Sequence, residues 1–141
     1  MNDTAAGLPA SSTPAAPAAA SPLEQYRGHL SRGALAYQVD DQGRALFYPR
    51  VVAPAGYGGE LRWVESRGLG TVYAATVIAP KGEAAYNVVL VDMDEGFRLM
   101  SRVESIPAEQ VSIGMRVKVR VHAPAEGEEG PYPVFDPVDN A

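Results

Sequence analysis

The sequence predicts a mostly β fold in which one N-terminal helix precedes a short hairpin and a small five-stranded barrel. Three observations support this prediction. Short runs of β-favouring residues recur at close spacing, Gly- and Pro-containing breakers separate them, and the last run alternates between apolar and basic residues. A chain of 141 residues is long enough for one compact core. We therefore expect one small folded unit with flanking segments.

The N-terminal segment, residues 1–21, is rich in Ala, Ser, Thr and Pro, and Asp3 is its only charged residue. Such a segment buries too little apolar surface to offset the entropy of ordering, so we expect it to be disordered. It lacks the basic and apolar regions of a secretory signal, and no apolar run in the chain is long enough to span a bilayer. We expect a cytoplasmic protein without membrane contact.

An N-terminal helix is predicted over residues 22–33. Ser21 has the side chain of a helix N-cap, Pro22 suits the first helical position, and Glu24 completes a capping box. Gly33 is a natural stop because glycine readily adopts the left-handed conformation that ends helices.

Residues 34–60 are predicted to form a hairpin and an irregular loop. The β-favouring runs Ala34–Gln38 and Ala45–Tyr48 flank Asp40–Gly43, which has the composition of a turn. The Pro and Gly residues that follow are typical of irregular connections.

Residues 61–141 are predicted to form the barrel and a C-terminal strip. A helical turn is expected over residues 106–110, and residues 130–135 are expected to lie extended against the barrel. Five strands with a helical turn in one connection are typical of an OB-fold. The five predicted strands are Leu61–Glu65, Gly70–Ile78, Tyr86–Met93, Phe97–Val103 and Met115–His122.

The charge balance and the scarcity of ligating side chains argue against several functional classes. Twelve Lys and Arg residues against seventeen Asp and Glu residues give a net charge of −5, which disfavours binding to nucleic acid. The chain has no Cys, which excludes disulfides, thiolate nucleophiles and cysteine zinc sites. Its two histidines, His29 and His122, are far apart in sequence, and no nucleophile–base set accompanies them. We expect a protein without catalytic residues of its own.

The ordered set of short motifs resembles the DUF35 family, whose members combine an N-terminal helix, a rubredoxin-like zinc ribbon and a C-terminal OB-fold. The resemblance extends from Leu23 to Pro137. It rests on Leu35–Gln38, Tyr48–Arg50, Leu61–Trp63, Gly68–Ala74, Leu90–Gly96, Ile113–Val119 and Pro133–Phe135.

The four zinc-ligand positions of that family fall on residues that lack a thiolate, namely Val39, Gln42, Ala53 and Gly56. The resemblance therefore implies a degenerate ribbon over residues 34–60 that binds no zinc. Because a structural zinc contributes folding energy, other contacts must compensate for it. We expect these from the turn Asp40–Gly43, from apolar contacts of Phe47 and Tyr57, and from a partner protein.

The resemblance implies an accessory role, because members of this family pair with thiolase-like enzymes, including sterol-carrier-type thiolases and aldolases. We expect a non-catalytic subunit that binds and stabilises such a partner, or another acyl-CoA enzyme, in a hetero-oligomer and helps to shape the acyl-CoA site. No cofactor of its own is expected, and a coenzyme A thioester is expected to enter through the partner.

Two groups of residues are candidates for contact with the partner or with acyl-CoA. The first joins aromatic and basic residues of the Pro- and Gly-rich loop and the strand after it, which are types enriched at interfaces: Tyr48, Arg50, Tyr57 and Trp63. The second consists of basic residues that alternate on two strands and would form one basic face if those strands were neighbours: Arg98, Arg102, Arg116, Lys118 and Arg120.

The sequence is also compatible with a different class of function. OB-folds also occur as stand-alone modules that bind small ligands or single-stranded nucleic acid, with aromatic side chains stacking on bases. Trp63, Tyr73, Tyr86 and Phe97 are placed on barrel strands by the sequence pattern, where such stacking or simple core packing are the alternatives.

Overall fold

The computed structural model describes residues 20–51, 54, 56–127 and 130–138. The predicted disordered segment 1–21 thus lies almost entirely outside the described residues. These residues include a 3-10 turn, Ala108–Gln110, besides the helix and strands. In chain order these are α1 (Pro22–Ser31), β1 (Ala36–Val39), β2 (Ala45–Leu46), β3 (Arg62–Glu65), β4 (Leu69–Ile78), β5 (Tyr86–Met93), β6 (Arg98–Ser101), β7 (Arg116–His122) and β8 (Tyr132–Pro137).

The start of α1 confirms the predicted capping box. The Glu24 N–H donates to the Ser21 hydroxyl at 3.1 Å, and the Ser21 N–H donates to the Glu24 carboxylate at 2.8 Å. These bonds satisfy two donors that a helix N-terminus otherwise leaves free. The helix ends two residues earlier than predicted, and Gly33 follows it in the left-handed region with φ of 84°. Tyr26 is among the helix residues that face the core.

The first sheet has three antiparallel strands in the order β2-β1-β3. The β1–β2 pair confirms the predicted hairpin around Asp40–Gly43. The placement of Leu61–Glu65 in the barrel is wrong, because β3 pairs along its whole length with β1 and sets Trp63 opposite Gln38. All four residues of β1 are buried, so its backbone groups need partners on both edges, and β3 supplies the second edge. We call this the ribbon sheet.

The second sheet is the barrel, with five strands in the order β6-β5-β4-β7-β8. The strip at residues 130–135, predicted to lie against the barrel, instead forms its fifth strand by pairing with β7. A parallel bridge between Val103 and Phe135 closes the barrel, and the Phe135 N–H donates to the Arg102 carbonyl at 3.0 Å. The 3-10 turn lies between β6 and β7, as predicted. The arrangement is a closed OB-fold barrel.

One apolar core runs through the helix, the ribbon sheet and the barrel. Aromatic rings connect the barrel to the ribbon sheet within this core. Phe97 from the turn before β6 stacks on Tyr37 of β1, with 4.6 Å between ring centroids, and on Phe47, with 5.2 Å. Such offset aromatic pairs stabilise beyond the area that they bury. The two sheets are therefore packed as one unit. Within the described residues, no helix is long and apolar enough to cross a membrane.

Candidate functional site

An open groove of about 630 Å³ lies where the helix and the segment after β2 meet the barrel. Its volume is within the range of roughly 300–1,000 Å³ that is usual for ligand sites. One wall is formed by Tyr26, Phe47 and Tyr48. The other comes from β5, the β6 strand with the residue after it, and β8, through Tyr86, Asn87, Val88, Arg98, Leu99, Met100, Ser101, Arg102, Tyr132, Pro133 and Val134.

The helix and ribbon wall of the groove is aromatic. Phe47 is central to this wall, because its ring meets Tyr26 edge-on at 5.6 Å and Tyr48 edge-on at 6.1 Å. Burial, with a smaller contribution from Tyr48, raises the pKa of Tyr26 to about 12, so its hydroxyl stays protonated. Tyr48 is 61% exposed and forms the outer rim. This wall thus presents aromatic rings that are held in place by packing against one another.

The barrel wall presents apolar side chains to solvent because of the alternation along β6. Leu99 points into the core, while its neighbour Met100 points outward and is 69% exposed. On the next strand Tyr86 is 42% exposed. Large exposed apolar side chains that cluster around one concavity are typical of interaction surfaces.

The two arginines of the groove are each paired with a carboxylate. Arg98 donates through two nitrogens to the Asp92 carboxylate and lies over the Tyr73 ring, 3.6 Å from its centroid. Arg102 pairs with Glu104 at 2.7 Å and donates to the Tyr132 hydroxyl at 2.9 Å. These contacts fix both guanidinium groups and balance their charge within the chain.

The loop-side candidates from the sequence divide between the groove and the ribbon sheet. Tyr48 lines the groove, and Arg50 lies exposed just after it. Tyr57 packs under the Arg44 guanidinium at 5.0 Å, and Trp63 lies against the His29 ring at 5.6 Å. Tyr57 and Trp63 are not among the groove's lining residues.

The single basic face predicted from the two alternating strands is not formed. It required β6 and β7 to be neighbours, whereas β5 and β4 lie between them on one side of the closed barrel and β8 lies between them on the other. Arg116 donates to Asp94 at 2.8 Å, and Arg120 bridges Glu104 and Asp136 at 2.8 Å each. Lys118 is exposed on the same strand. The basic side chains are distributed into ion pairs around the barrel. Arg98 and Arg102 line the groove and the β7 residues do not, but Arg102 and Arg120 meet at the shared Glu104 carboxylate.

Several groove residues were not singled out as contact candidates by the sequence. Met100 could have been found, because it shares the outward parity of Arg98 and Arg102. Tyr26, Phe47 and Tyr132 come from three distant parts of the chain, and only the packing of the helix and ribbon sheet on the barrel brings them together. The sequence contains no local signal for that packing.

The residues at the family's zinc-ligand positions do not fit a metal. Val39 is buried in the core, Gln42 is exposed in the first turn, and Gly56 has no side chain. Ala53 lies outside the described residues. Within the part of the chain that the structure describes, no group of three or more His, Cys, Asp or Glu residues could hold a metal ion. The donor set offers none of the thiolates that a zinc ribbon requires.

Comparison with known proteins agrees with the architecture. Residues 63–122 match the family model described as "ChsH2, C-terminal OB-fold domain". Among solved structures, the chain matches "Ltp2-ChsH2(DUF35) aldolase" with a TM-score of 0.67 and 26% sequence identity, covering 89% of this chain and 98% of that chain. No curated protein matches. Because the structural match covers 89% of the chain, it extends beyond the barrel, and together the two likenesses support membership of the DUF35 family.

Proposed function

We propose that this chain is a non-catalytic accessory subunit of an acyl-CoA-processing complex and binds a thiolase-like enzyme. The observation that carries the proposal is the likeness to the Ltp2–ChsH2 aldolase structure, which extends over 98% of the matched chain. A likeness over the whole architecture favours a shared role more strongly than an OB-fold alone would, because one fold hosts many functions.

The groove is the surface that we assign to the partner. Its lining combines Tyr, Met and Arg, the residue types that are enriched where protein interfaces carry most of their binding energy. Tyr48 and Met100 stand on opposite walls and are both mostly exposed in the isolated chain. An enzyme surface that inserts an apolar segment between them would remove this area from water, which stabilises the complex.

In this proposal the partner holds the coenzyme A phosphates. The groove arginines, Arg98 and Arg102, already pair with Asp92 and Glu104, so a phosphate would have to displace a carboxylate to reach either of them. The contribution of this chain is to stabilise the partner and to shape the acyl passage next to the groove, without a cofactor or catalytic group of its own.

The proposal is tested by affinity purification of the tagged full chain from its own cells, with mass spectrometry of the proteins retained. We expect a thiolase-like enzyme in stoichiometric amount. The groove is tested in the same experiment by Met100→Glu, which places a charge on the barrel wall. Partner retention is expected to fall at least tenfold, because the complex would bury this charge without a partner of opposite charge.

Ile113→Glu is the matched control, because Ile113 is 71% exposed, close to the 69% of Met100, and lies outside the groove. It should leave partner retention unchanged. Equal retention by both variants would refute the groove as the docking surface while keeping the accessory role. A chain that retains no acyl-CoA enzyme at all would refute the accessory role itself.

A further inference from the structure

The ribbon sheet contains two turns that a metal would be expected to join, and here a carboxylate joins them. The first turn is Asp40–Gly43 between β1 and β2, and the second covers residues 56–59 before β3. The family's ligand positions fall at Val39, Gln42, Ala53 and Gly56, none of which carries a thiolate. The contact between the turns therefore has to come from other groups.

Asp40, the residue after the first lost ligand position, has a side chain with no exposed surface. Its Oδ1 accepts from the Gln42 N–H at 3.0 Å and from the Arg44 N–H at 2.8 Å. Its Oδ2 accepts from the Arg44 Nε at 2.8 Å and from the Gly58 N–H at 3.2 Å. Four donors from both turns thus converge on one buried carboxylate, which is the arrangement that a buried charge needs.

The second turn is held at Gly58 by both of its backbone groups. Its N–H donates to the Asp40 carboxylate, and its carbonyl accepts from the Asp41 N–H at 3.0 Å. The neighbouring Tyr57 lies against Arg44 and its hydroxyl donates to the Ala45 carbonyl at 3.4 Å. The hairpin around the first turn therefore contacts two successive residues of the second turn, Tyr57 and Gly58.

We propose that the Asp40 carboxylate replaces a bound metal as the cross-link of this ribbon, so that the ribbon sheet folds without zinc. A metal would join side chains of the two turns through one central atom, whereas Asp40 joins backbone and side-chain donors of the same region through one buried anion. The proposal does not depend on the partner or on the groove.

The test uses the purified full chain and the variants Asp40→Ala and Asp40→Asn, with Asp41→Asn as the matched control. Asp41 is the adjacent, exposed acidic residue of the same turn, so its variant makes the same change in net charge. Thermal unfolding with and without EDTA or added zinc tests the metal, and amide hydrogen exchange at Gly58 and Arg44 tests the cross-link.

We expect the melting temperature of the unmodified chain to be the same with EDTA and with zinc. Asp40→Ala is expected to lower it by about 5 °C or more and to speed exchange at the Gly58 amide by about tenfold, because four donors lose their shared acceptor. Asp41→Asn should change neither. If Asp40→Ala does not fold, Asp40→Asn decides, since it keeps the side-chain volume and removes the charge.

Two results would overturn the proposal. A melting temperature that falls in EDTA and recovers with zinc would show that the ribbon holds a metal. Exchange at Gly58 that is the same in Asp40→Asn and Asp41→Asn would show that the carboxylate does not join the turns.

Discussion

The side-chain amide of Gln38 pairs with both backbone groups of Arg50. Its Nε2 donates to the Arg50 carbonyl at 2.8 Å, and its Oε1 accepts from the Arg50 N–H at 2.7 Å. Gln38 is buried in the middle strand of the ribbon sheet, so this pair acts as a short extension of the sheet by a side chain. It fixes the chain just after Tyr48, the exposed rim of the groove.

Replacing Gln38 with Ala should loosen this rim. The change leaves the Arg50 N–H and carbonyl without their partner, and we expect a loss of about 1–3 kcal/mol in the free energy of unfolding. Amide exchange at Arg50 should rise, and partner retention should fall because Tyr48 is no longer held in place. Urea unfolding, hydrogen exchange and the affinity purification described above measure the three effects.

Gln110→Ala is the control for the Gln38 variant, since Gln110 is exposed in the 3-10 turn. It should be neutral in all three measurements. If Gln38→Ala exchanges at Arg50 as slowly as the unmodified chain, the amide pair does not hold the segment, and the rim depends on Phe47 packing instead.

Asn87 has the same role in the barrel that Gln38 has in the ribbon sheet: its side-chain amide pairs with backbone groups of another segment. It is buried, it accepts from the Val103 N–H at 2.8 Å, and it donates to the carbonyls of Val103 and Ala108 at 3.0 and 3.4 Å. Asn87→Ala should cost about 2 kcal/mol or more in urea unfolding, because the buried N–H and carbonyl of Val103 lose their partner. Asn87→Asp should cost more, since it also buries a carboxylate against two carbonyls. A loss below about 0.5 kcal/mol in either variant would contradict this role.

The elements that depend on local sequence were predictable. The alternation along β7 places Val117 in the core and exposes Lys118, as the period of two requires. The capping box at Ser21 and the turn around Gly43 are likewise fixed by residues three or four positions apart. Local hydrogen bonds and side-chain period specify such features without reference to the rest of the fold.

The features that depend on pairing between distant segments were not predictable in the same way. Both β3 and β8 are short extended runs, and nothing in their composition says that β3 joins β1 or that β8 closes the barrel. The charges show the same limit: Arg116 meets Asp94 and Arg98 meets Asp92 only because turns and strand registers place them together. A single sequence reports residue types, whereas ion pairing depends on the register.

Gly→Ala substitutions at Gly70 in β4 and at Gly28 in α1 are expected to change stability in opposite directions. A Cβ at Gly70 would lie 2.8 Å from the Asp92 carbonyl oxygen and 2.7 Å from a Val91 methyl, in the buried part of β4. Gly70→Ala should therefore destabilise the chain by about 1–3 kcal/mol. A Cβ at Gly28 in α1 would meet nothing closer than the Arg32 guanidinium at 3.7 Å. Gly28→Ala should stabilise by up to about 1 kcal/mol, because Ala favours the helix.

Urea unfolding of the two glycine variants measures the comparison directly. The opposite signs are the prediction, because a general intolerance of Gly→Ala changes would lower both midpoints. A Gly70→Ala variant as stable as the parent chain would mean that β4 and β5 separate easily at this point, in conflict with the continuous pairing seen there.

The closure of the barrel should weaken in acid. Arg120 on β7 bonds Asp136 on β8 and Glu104 after β6, Arg102 also pairs with Glu104, and the Ser105 hydroxyl donates to Asp136. The bond from Arg120 lowers the pKa of Asp136 despite partial burial. Burial opposes ionisation of Glu104, but Arg120 and Arg102 outweigh it and lower its pKa as well.

Both carboxyl groups have lower pKa values in the folded chain than in the unfolded chain, so their ionised forms stabilise the fold at neutral pH. That stabilisation is lost as the pH falls through the folded pKa values. Asp136→Asn should therefore be less stable than the parent at pH 7, and the difference should shrink in urea unfolding below about pH 4. Glu109→Gln, which removes an exposed carboxylate of the 3-10 turn, controls for net charge. A difference between Asp136→Asn and the parent that stays constant down to low pH would assign the effect to lost packing, since only the ionised pair depends on protonation.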